Sequence, residues 1–291
     1  MLRRLDCTHS RARRRLRPVV MNPEHWLPDI CELATQASQL ALQRFREGSR
    51  YIEKGPGDWA SEADLEIEQF IRRGLHHIAP GTLVHGEETG RVGASASRFI
   101  WHVDPIDGSA NFLRGIPHFA TVLSLSEIDE AGEERILMGV TSDPCREELF
   151  VASVARATAL NGVDVRVSNV SEGLQALLAV VTPKPNSGYL DHFETWFSRQ
   201  LRSFGGVRRS GAMALDLAWV ACGRLDAFGG IDLAPWDIRA GLLQVMQSGG
   251  VVQSNTPIRS FPNGPPTPMC LVANSDSLIK LLIGDNNGQS N

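Results

Sequence analysis

From Trp26 to Arg46 apolar residues recur at helical spacing: Leu27, Ile30, Leu33, Ala34, Ala37, Leu40, Ala41 and Phe45 share one stripe, and Gly48 closes the pattern. A second helix is expected from about Ser61 to His77, with Ser61 as its N-cap and Ile67, Phe70, Ile71 and Leu75 on one face. The stretch EKGPGDWA between them reads as a polar loop. Short strands follow at Leu83 to His85 and Phe99 to Val103. Thr121 to Ile128 and Arg135 to Thr141 then form a hairpin around an acidic turn. Further strands are expected at Glu148 to Ser153, Val163 to Ser168 after an Asn161-Gly162 turn, Ala176 to Thr182, Asp226 to Gly229, Val251 to Gln253 and Cys270 to Ala273. Helices are expected near Tyr189 to Leu201, Ala212 to Cys222 and Trp236 to Ser248, and from Ser275, with Pro257 to Pro268 as a surface loop. Hairpins mixed with helices in one unit argue for an α+β fold built of packed layers.

At 291 residues and 42% hydrophobic, the chain can bury a core without disulfides or a structural metal. The five cysteines are scattered, with no C-x-x-C and no zinc-finger spacing, and read as reduced thiols of a cytoplasmic protein. No apolar run approaches a membrane span. A net charge of -4 leaves no nucleic-acid footprint over the chain as a whole, but it hides an asymmetry. Residues 1–20 hold seven arginines and one acid, so the remainder is markedly acidic. This basic leader reads as a disordered extension or one upstream of a true start at Met21, with organelle import or a charge-driven partner contact as alternatives. The body, 21–291, reads as one domain.

The strongest chemical signal is IWHVDPIDGSANF at 100–112. An apolar strand delivers Asp104 at its end, Pro105 stiffens the exit and Asp107 follows three residues later. Two carboxylates so close repel unless a cation lies between them, which favours hard divalent ions with oxygen ligands. Gly108 lets the backbone approach a ligand, and Ser109 with Ala110 begins a helix with free N–H groups. An Asp-Gly turn with a helix cap would read the same way. Two further segments end in acids: Glu87-Glu88 after a short strand, open also to reading as a solvated loop, and Asp237 in a helix's first turn, where it would complement the dipole. The chain has no G-x-S-x-G, C-x5-R or G-x4-G-K-[ST] motif of a covalent or P-loop phosphate enzyme.

GEE at 86–88, DPIDGSANF at 104–112 and PWDIRAG at 235–241, in this order, resemble the inositol monophosphatase family of lithium-sensitive, magnesium-dependent sugar phosphatases, over about residues 26–284. The resemblance implies a layered α-β-α-β-α sandwich, a homodimer and a small phosphate ester as substrate. It implies that Glu87, Asp104, Asp107, Asp237 and the Ile106 carbonyl ligate Mg2+, with Glu88 in support. Asp64 and Ser109 would orient the nucleophilic water, with Glu87 holding a metal on that water. Asp107, Gly108, Ser109, Gly211, Ala212 and Met213 would contact substrate, and Lys54 and Asp58 match loop positions that close over the metals. Two Mg2+ ions roughly 4 Å apart would then carry in-line attack without a phosphoenzyme.

Three departures bear on the alcohol. Ala212 stands where the family often has a hydroxyl, Ser109 replaces a usual Thr, and Gly230 stands where many relatives carry a sugar-binding Glu, with Asp232 a possible substitute. The alternatives to a polyol are histidinol phosphate, fructose 1,6-bisphosphate and nucleotide phosphates, although DGSANF leans away from the nucleotide branch. A rival reading is a regulatory protein that binds transcription machinery, as some bacterial relatives do. His76, His77 and His102 read as surface or capping residues; Trp196, Phe197 and Trp219 read as core; and Arg208-Arg209 reads as surface charge with a minority role near phosphate.

Overall fold

A computed structural model of the chain describes residues 22–55, 58–254 and 267–284, with the side chains of 52–59 and 254–268 outside the described set. The leader at 1–20 and the expected loop at 257–266 therefore lie outside the described residues, as do the side chains of Lys54 and Asp58. The first half runs α1 (Leu27–Glu47), β1 (Tyr51–Gly55), β2 (Asp58–Ser61), α2 (Glu62–Ile78), β3 (Leu83–Gly86), β4 (Gly90–Gly93), β5 (Phe99–Asp107), α3 (Ser109–Leu113), β6 (Ala120–Ile128), β7 (Glu134–Asp143), β8 (Glu148–Ser153), β9 (Arg156–Leu160) and β10 (Val163–Asp164). The second half runs β11 (Leu177–Val181), α4 (Leu190–Ser203), β12 (Gly206–Arg208), α5 (Met213–Ala221), β13 (Ala227–Leu233), α6 (Pro235–Gln247), β14 (Val251–Ser254), β15 (Thr267–Ala273) and α7 (Asp276–Ile283).

These elements stack as five layers. The apolar stripes of α1 and α2 pack on one face of an eight-stranded sheet ordered β10-β9-β8-β7-β6-β5-β3-β4. Helices α5 and α6 fill the space between that sheet and a five-stranded sheet ordered β12-β11-β13-β15-β14. Helices α4 and α7 cover the far side of the second sheet through Phe193, Trp196, Leu278 and Leu282. The α-β-α-β-α sandwich expected from the resemblance is the observed arrangement. Close approach fixes two of the joints: a Cβ on Gly74 of α2 would lie 2.4 Å from Leu33 of α1, and one on Gly229 of β13 would lie 2.3 Å from the Trp196 ring.

Some expectations need correction. The stretch read as a polar loop at 53–60 is a two-stranded hairpin, with Tyr51 paired to Ser61. The strand expected from Val163 to Ser168 pairs only at Val163 and Asp164, while β4 and β9 are additional. Pro268, expected in the loop, falls within β15. His102, expected at the surface, is 1% exposed. All nine residues of β5 are buried, because helices cover both faces of its sheet and alternation offers no wet side. His102 Nε2 lies 2.9 Å from Glu134 Oε1, and Glu134 also pairs with Arg239 of α6. Trp196 is core as expected, whereas Phe197 and Trp219 are half-buried. Cys31, Cys145, Cys222 and Cys270 are unbridged. Among the described residues no helix is long and apolar enough to cross a membrane.

Candidate active site

Strand β5 carries its acids at its carboxyl end, where pairing with β6 is irregular between Asp104 and Asp107. That bulge turns both carboxylates toward the same side of the sheet edge. Asp104 Oδ1 accepts from Ile106 N at 2.9 Å, which fixes its rotamer. Asp107 accepts from Met213 N (3.2 Å) and Ala214 N (2.8 Å), so the first turn of α5 holds it from the opposite layer. Gly108 follows with φ +93, and a Cβ there would lie 3.1 Å from the carbonyls of Gly211 and His118. Only glycine meets both conditions.

Asp64 reaches the site from α2. It is the N3 residue of a capping box in which its Oδ2 accepts from Ser61 N (2.7 Å) and Ser61 Oγ (2.6 Å). Its Oδ1 lies 3.1 Å from Ser109 Oγ, and that hydroxyl is also 3.0 Å from the Ile106 carbonyl. Asp237 is N3 of α6, and its Oδ2 accepts from Ala234 N at 3.1 Å. Glu87 leaves the end of β3, anchored by Glu87 N to Val103 O at 3.1 Å.

Glu87, Glu88, Asp104, Ile106, Asp107, Gly108, Ser109, Gly211, Met213 and Asp237 thus line one cleft of about 620 Å3, shared with Thr182, Lys184, Arg209, Asp232 and Trp236. Ala212 is buried directly behind it, against Gly108. Burial drives the Asp104 carboxyl well above its usual range, and repulsion from Glu87, Asp107, Asp237 and Asp64 drives it further. Burial likewise pushes Asp107 up to about 7, against the opposing pull of the Ala214 N–H. Among the described residues no group of three His, Cys, Asp or Glu is drawn tightly enough together to hold an ion. What fits a hard divalent cation is the chemistry of the donors: carboxylates confined together that repel one another until positive charge arrives.

Three supports of this site have roles that the sequence reading did not assign. Glu68 is fully buried and accepts from Glu88 N (2.8 Å), Thr89 N (3.1 Å), Thr89 Oγ1 (2.5 Å) and Arg72 Nε (2.9 Å), which fixes the turn that carries Glu87. Gly86 is glycine because a Cβ would meet that carboxylate at 2.3 Å. Asn111 donates to His118 O (2.8 Å) and Ser210 O (3.0 Å), tying α3 to the loop before α5. The sequence offers one hint of Glu68: the N–H groups of a Gly-Glu-Glu turn need an acceptor.

The inositol monophosphatase family model matches residues 22–285. A Nus factor SuhB of Pseudomonas aeruginosa is 37% identical over 213 residues, covering 72% of this chain and 77% of that protein. An inositol-1-monophosphatase of Caulobacter vibrioides is 37% identical over 229 residues, covering 77% of this chain and 87% of that protein. The crystal structure of the extragenic suppressor protein suhB from Bartonella henselae superposes with a TM-score of 0.79 at 28% identity, over 90% of this chain and 98% of that one.

Proposed function

Because the chain belongs to the inositol monophosphatase family, we propose that it is a Mg2+-dependent phosphatase that hydrolyses the phosphate monoester of a small polyol by direct attack of water. The observation that carries this reading is the confinement of Asp104 with Glu87, Asp107 and Asp237, whose mutual repulsion disfavours ionisation without a cation. Relatives named inositol-1-monophosphatase add to it.

In this reading Glu87, Asp104, Asp107, Asp237 and the Ile106 carbonyl hold Mg2+. Bound there, Mg2+ would supply the charge that binds the phosphate, acidifies the attacking water and steadies the leaving oxygen. The chain's own residues do the rest. Asp64 takes the Ser109 proton in a hydrogen bond, so the Ser109 oxygen is left as an acceptor that aims a water at phosphorus. Asp64 is itself locked by Ser61, so the pair costs little reorganisation during reaction. The Gly108 and Ser109 N–H groups receive the phosphate oxygens, with the backbone held open by the positive φ of Gly108. The Gly211–Met213 segment closes the other side of the cleft.

Phosphate release from a panel of polyol, histidinol, bisphosphate and nucleotide phosphates tests this: Mg2+-dependent turnover of a polyol phosphate supports it, and inertness toward every ester sinks it. A second reading, contact with transcription machinery, is favoured by the relatives named Nus factor SuhB. Inertness combined with co-purification of such a partner would decide for that role.

A further inference from the structure

Asp237 belongs to the first turn of α6, where Ala234 N holds its Oδ2 at 3.1 Å. The carboxylate therefore goes where the helix goes, and what fixes the helix fixes the ligand. Of the eight buried residues of α6 all but Arg239 and Gln244 are apolar or glycine. Two of these contacts are very close: a Cβ on Gly139 of β7 would lie 2.6 Å from the Ala240 Cα, and one on Gly241 would lie 2.4 Å from Leu217 of α5. Apolar packing supplies stability more readily than it supplies a unique position. Direction must come from the two polar residues. Gln244 secures the far half of the helix by donating to Thr141 Oγ1 (3.1 Å) and Phe150 O (3.2 Å). Arg239 secures the half that carries Asp237.

The buried Arg239 guanidinium ties α6 to three adjacent strands. It pairs with Glu134 of β7, and its Nη1 donates to Ser126 Oγ of β6 at 3.0 Å. Glu134 in turn meets His102 Nε2 of β5 at 2.9 Å. Burial, with Arg239 close by, drives His102 well below the usual imidazole range, so the ring is neutral and Nε2 carries the proton given to Glu134. The same imidazole meets His85 of β3 edge-on, with ring centroids 5.5 Å apart, and His85 meets the Trp236 ring at 5.1 Å and 89°. Glu134 therefore braces the cleft twice, through Arg239 toward Asp237 and through two imidazoles toward Trp236. The cluster is costly, because Glu134 Oε2, His102 Nδ1 and Arg239 Nε are buried without hydrogen-bond partners in the chain. Apolar side chains of similar volume would serve stability as well. What the ion pair adds is direction, a planar fork aimed at fixed acceptors.

Resting on the phosphatase reading above, we propose that Arg239 is a positioning residue for the cation site: through Glu134 and Ser126 it fixes the rotation of α6 that aims Asp237 at the metal. Mg2+ demands near-ideal octahedral geometry, so a small displacement of one ligand is felt as lost affinity. The test measures the Kd for Mg2+ by titration calorimetry, and Tm in EDTA, for wild type, the Arg239→Met, Glu134→Leu pair, Arg239→Lys and Gln244→Leu. Removing the ion pair whole leaves the net charge around the site unchanged, so a change in Kd reports geometry rather than field. The pair should melt close to wild type yet bind Mg2+ about 10-fold more weakly. Arg239→Lys keeps a cation beside Glu134 but lacks the fork, and should weaken binding about three- to fivefold; it gives the answer if the pair does not fold. Gln244→Leu releases the far half of the same helix, and should lower Tm while changing Kd less than about twofold. A folded pair, or failing that Arg239→Lys, with Kd within about twofold of wild type would overturn the assignment, as would an equal weakening in Gln244→Leu, and either would leave the phosphatase reading intact. Absence of Mg2+ binding by wild type would overturn both.

Discussion

Replacing Asp107 by Asn should stabilise the metal-free protein at alkaline pH while removing its response to Mg2+. Burial, with the nearby Asp216 and Glu87 carboxylates, pushes the Asp107 pKa from the usual carboxylate range up to about 7. A carboxyl with a raised folded-state pKa binds its proton more tightly when folded, so its contribution to stability is complete below about pH 4 and is lost as pH rises through 7. At pH 8 the shift corresponds to about 4 kcal/mol of strain in the ionised, metal-free site. Asparagine removes that charge but leaves one of the Met213 and Ala214 N–H groups facing an amide NH2, a loss of about 1–2 kcal/mol. The net gain is about 2 kcal/mol, or a Tm higher by about 4–8 °C in a domain of this size. Thermal melts in EDTA at pH 5 and pH 8 should show the gain at pH 8 and little at pH 5. Wild type should gain about 2.7 kcal/mol of stability from Mg2+ at pH 8 at a hundredfold excess over Kd, seen as a higher Tm, and the variant should not. A variant less stable than wild type in EDTA at pH 8, or one that keeps the full Mg2+ shift, would refute the picture of a strained, cation-seeking cluster.

Other substitutions separate support from chemistry. Glu68→Ala strands the Glu88 and Thr89 donors and Arg72, and should lower stability by about 3 kcal/mol and Tm by about 6–12 °C while weakening Mg2+ binding, as melts and calorimetry would show. Ser109→Ala leaves Asp64 capped by Ser61, so Tm should hold while kcat falls by about 10²–10³ with KM little changed in steady-state assays. Arg239→Ala leaves Glu134 buried without its cation and should cost about 3–5 kcal/mol in urea unfolding, whereas the Arg239→Met, Glu134→Leu pair should return to within about 1 kcal/mol of wild type.

The parts of the fold legible in the sequence were those whose periodicity has a single explanation. α1, α2 and α4 follow from apolar stripes, and the β6–β7 hairpin from two apolar runs flanking an acidic turn. β1, β2 and β4 did not, because each is only four or five residues long, too short for alternation to show, and β4 is Gly-Arg-Val-Gly with no buried residue. His102 was misplaced for the converse reason, since alternation presumes one wet face and β5 has none. At the site, strand-end and first-turn acids were legible because short motifs hold them. Glu68, Asn111 and Arg239 were not, since each acts on a segment distant in sequence: Glu68 on 88–89, Asn111 on 210 and Arg239 on 126 and 134.

The most direct test is release of inorganic phosphate from inositol 1-phosphate at pH 8, measured for wild type and Asp107→Asn with EDTA and across a Mg2+ titration. A site in which carboxylates wait for a cation requires wild-type turnover that is absent in EDTA and saturates with Mg2+, and a loss of at least about 10³-fold in the Asn variant while its fold persists. Turnover by wild type in EDTA, or wild-type turnover by Asp107→Asn, would contradict it.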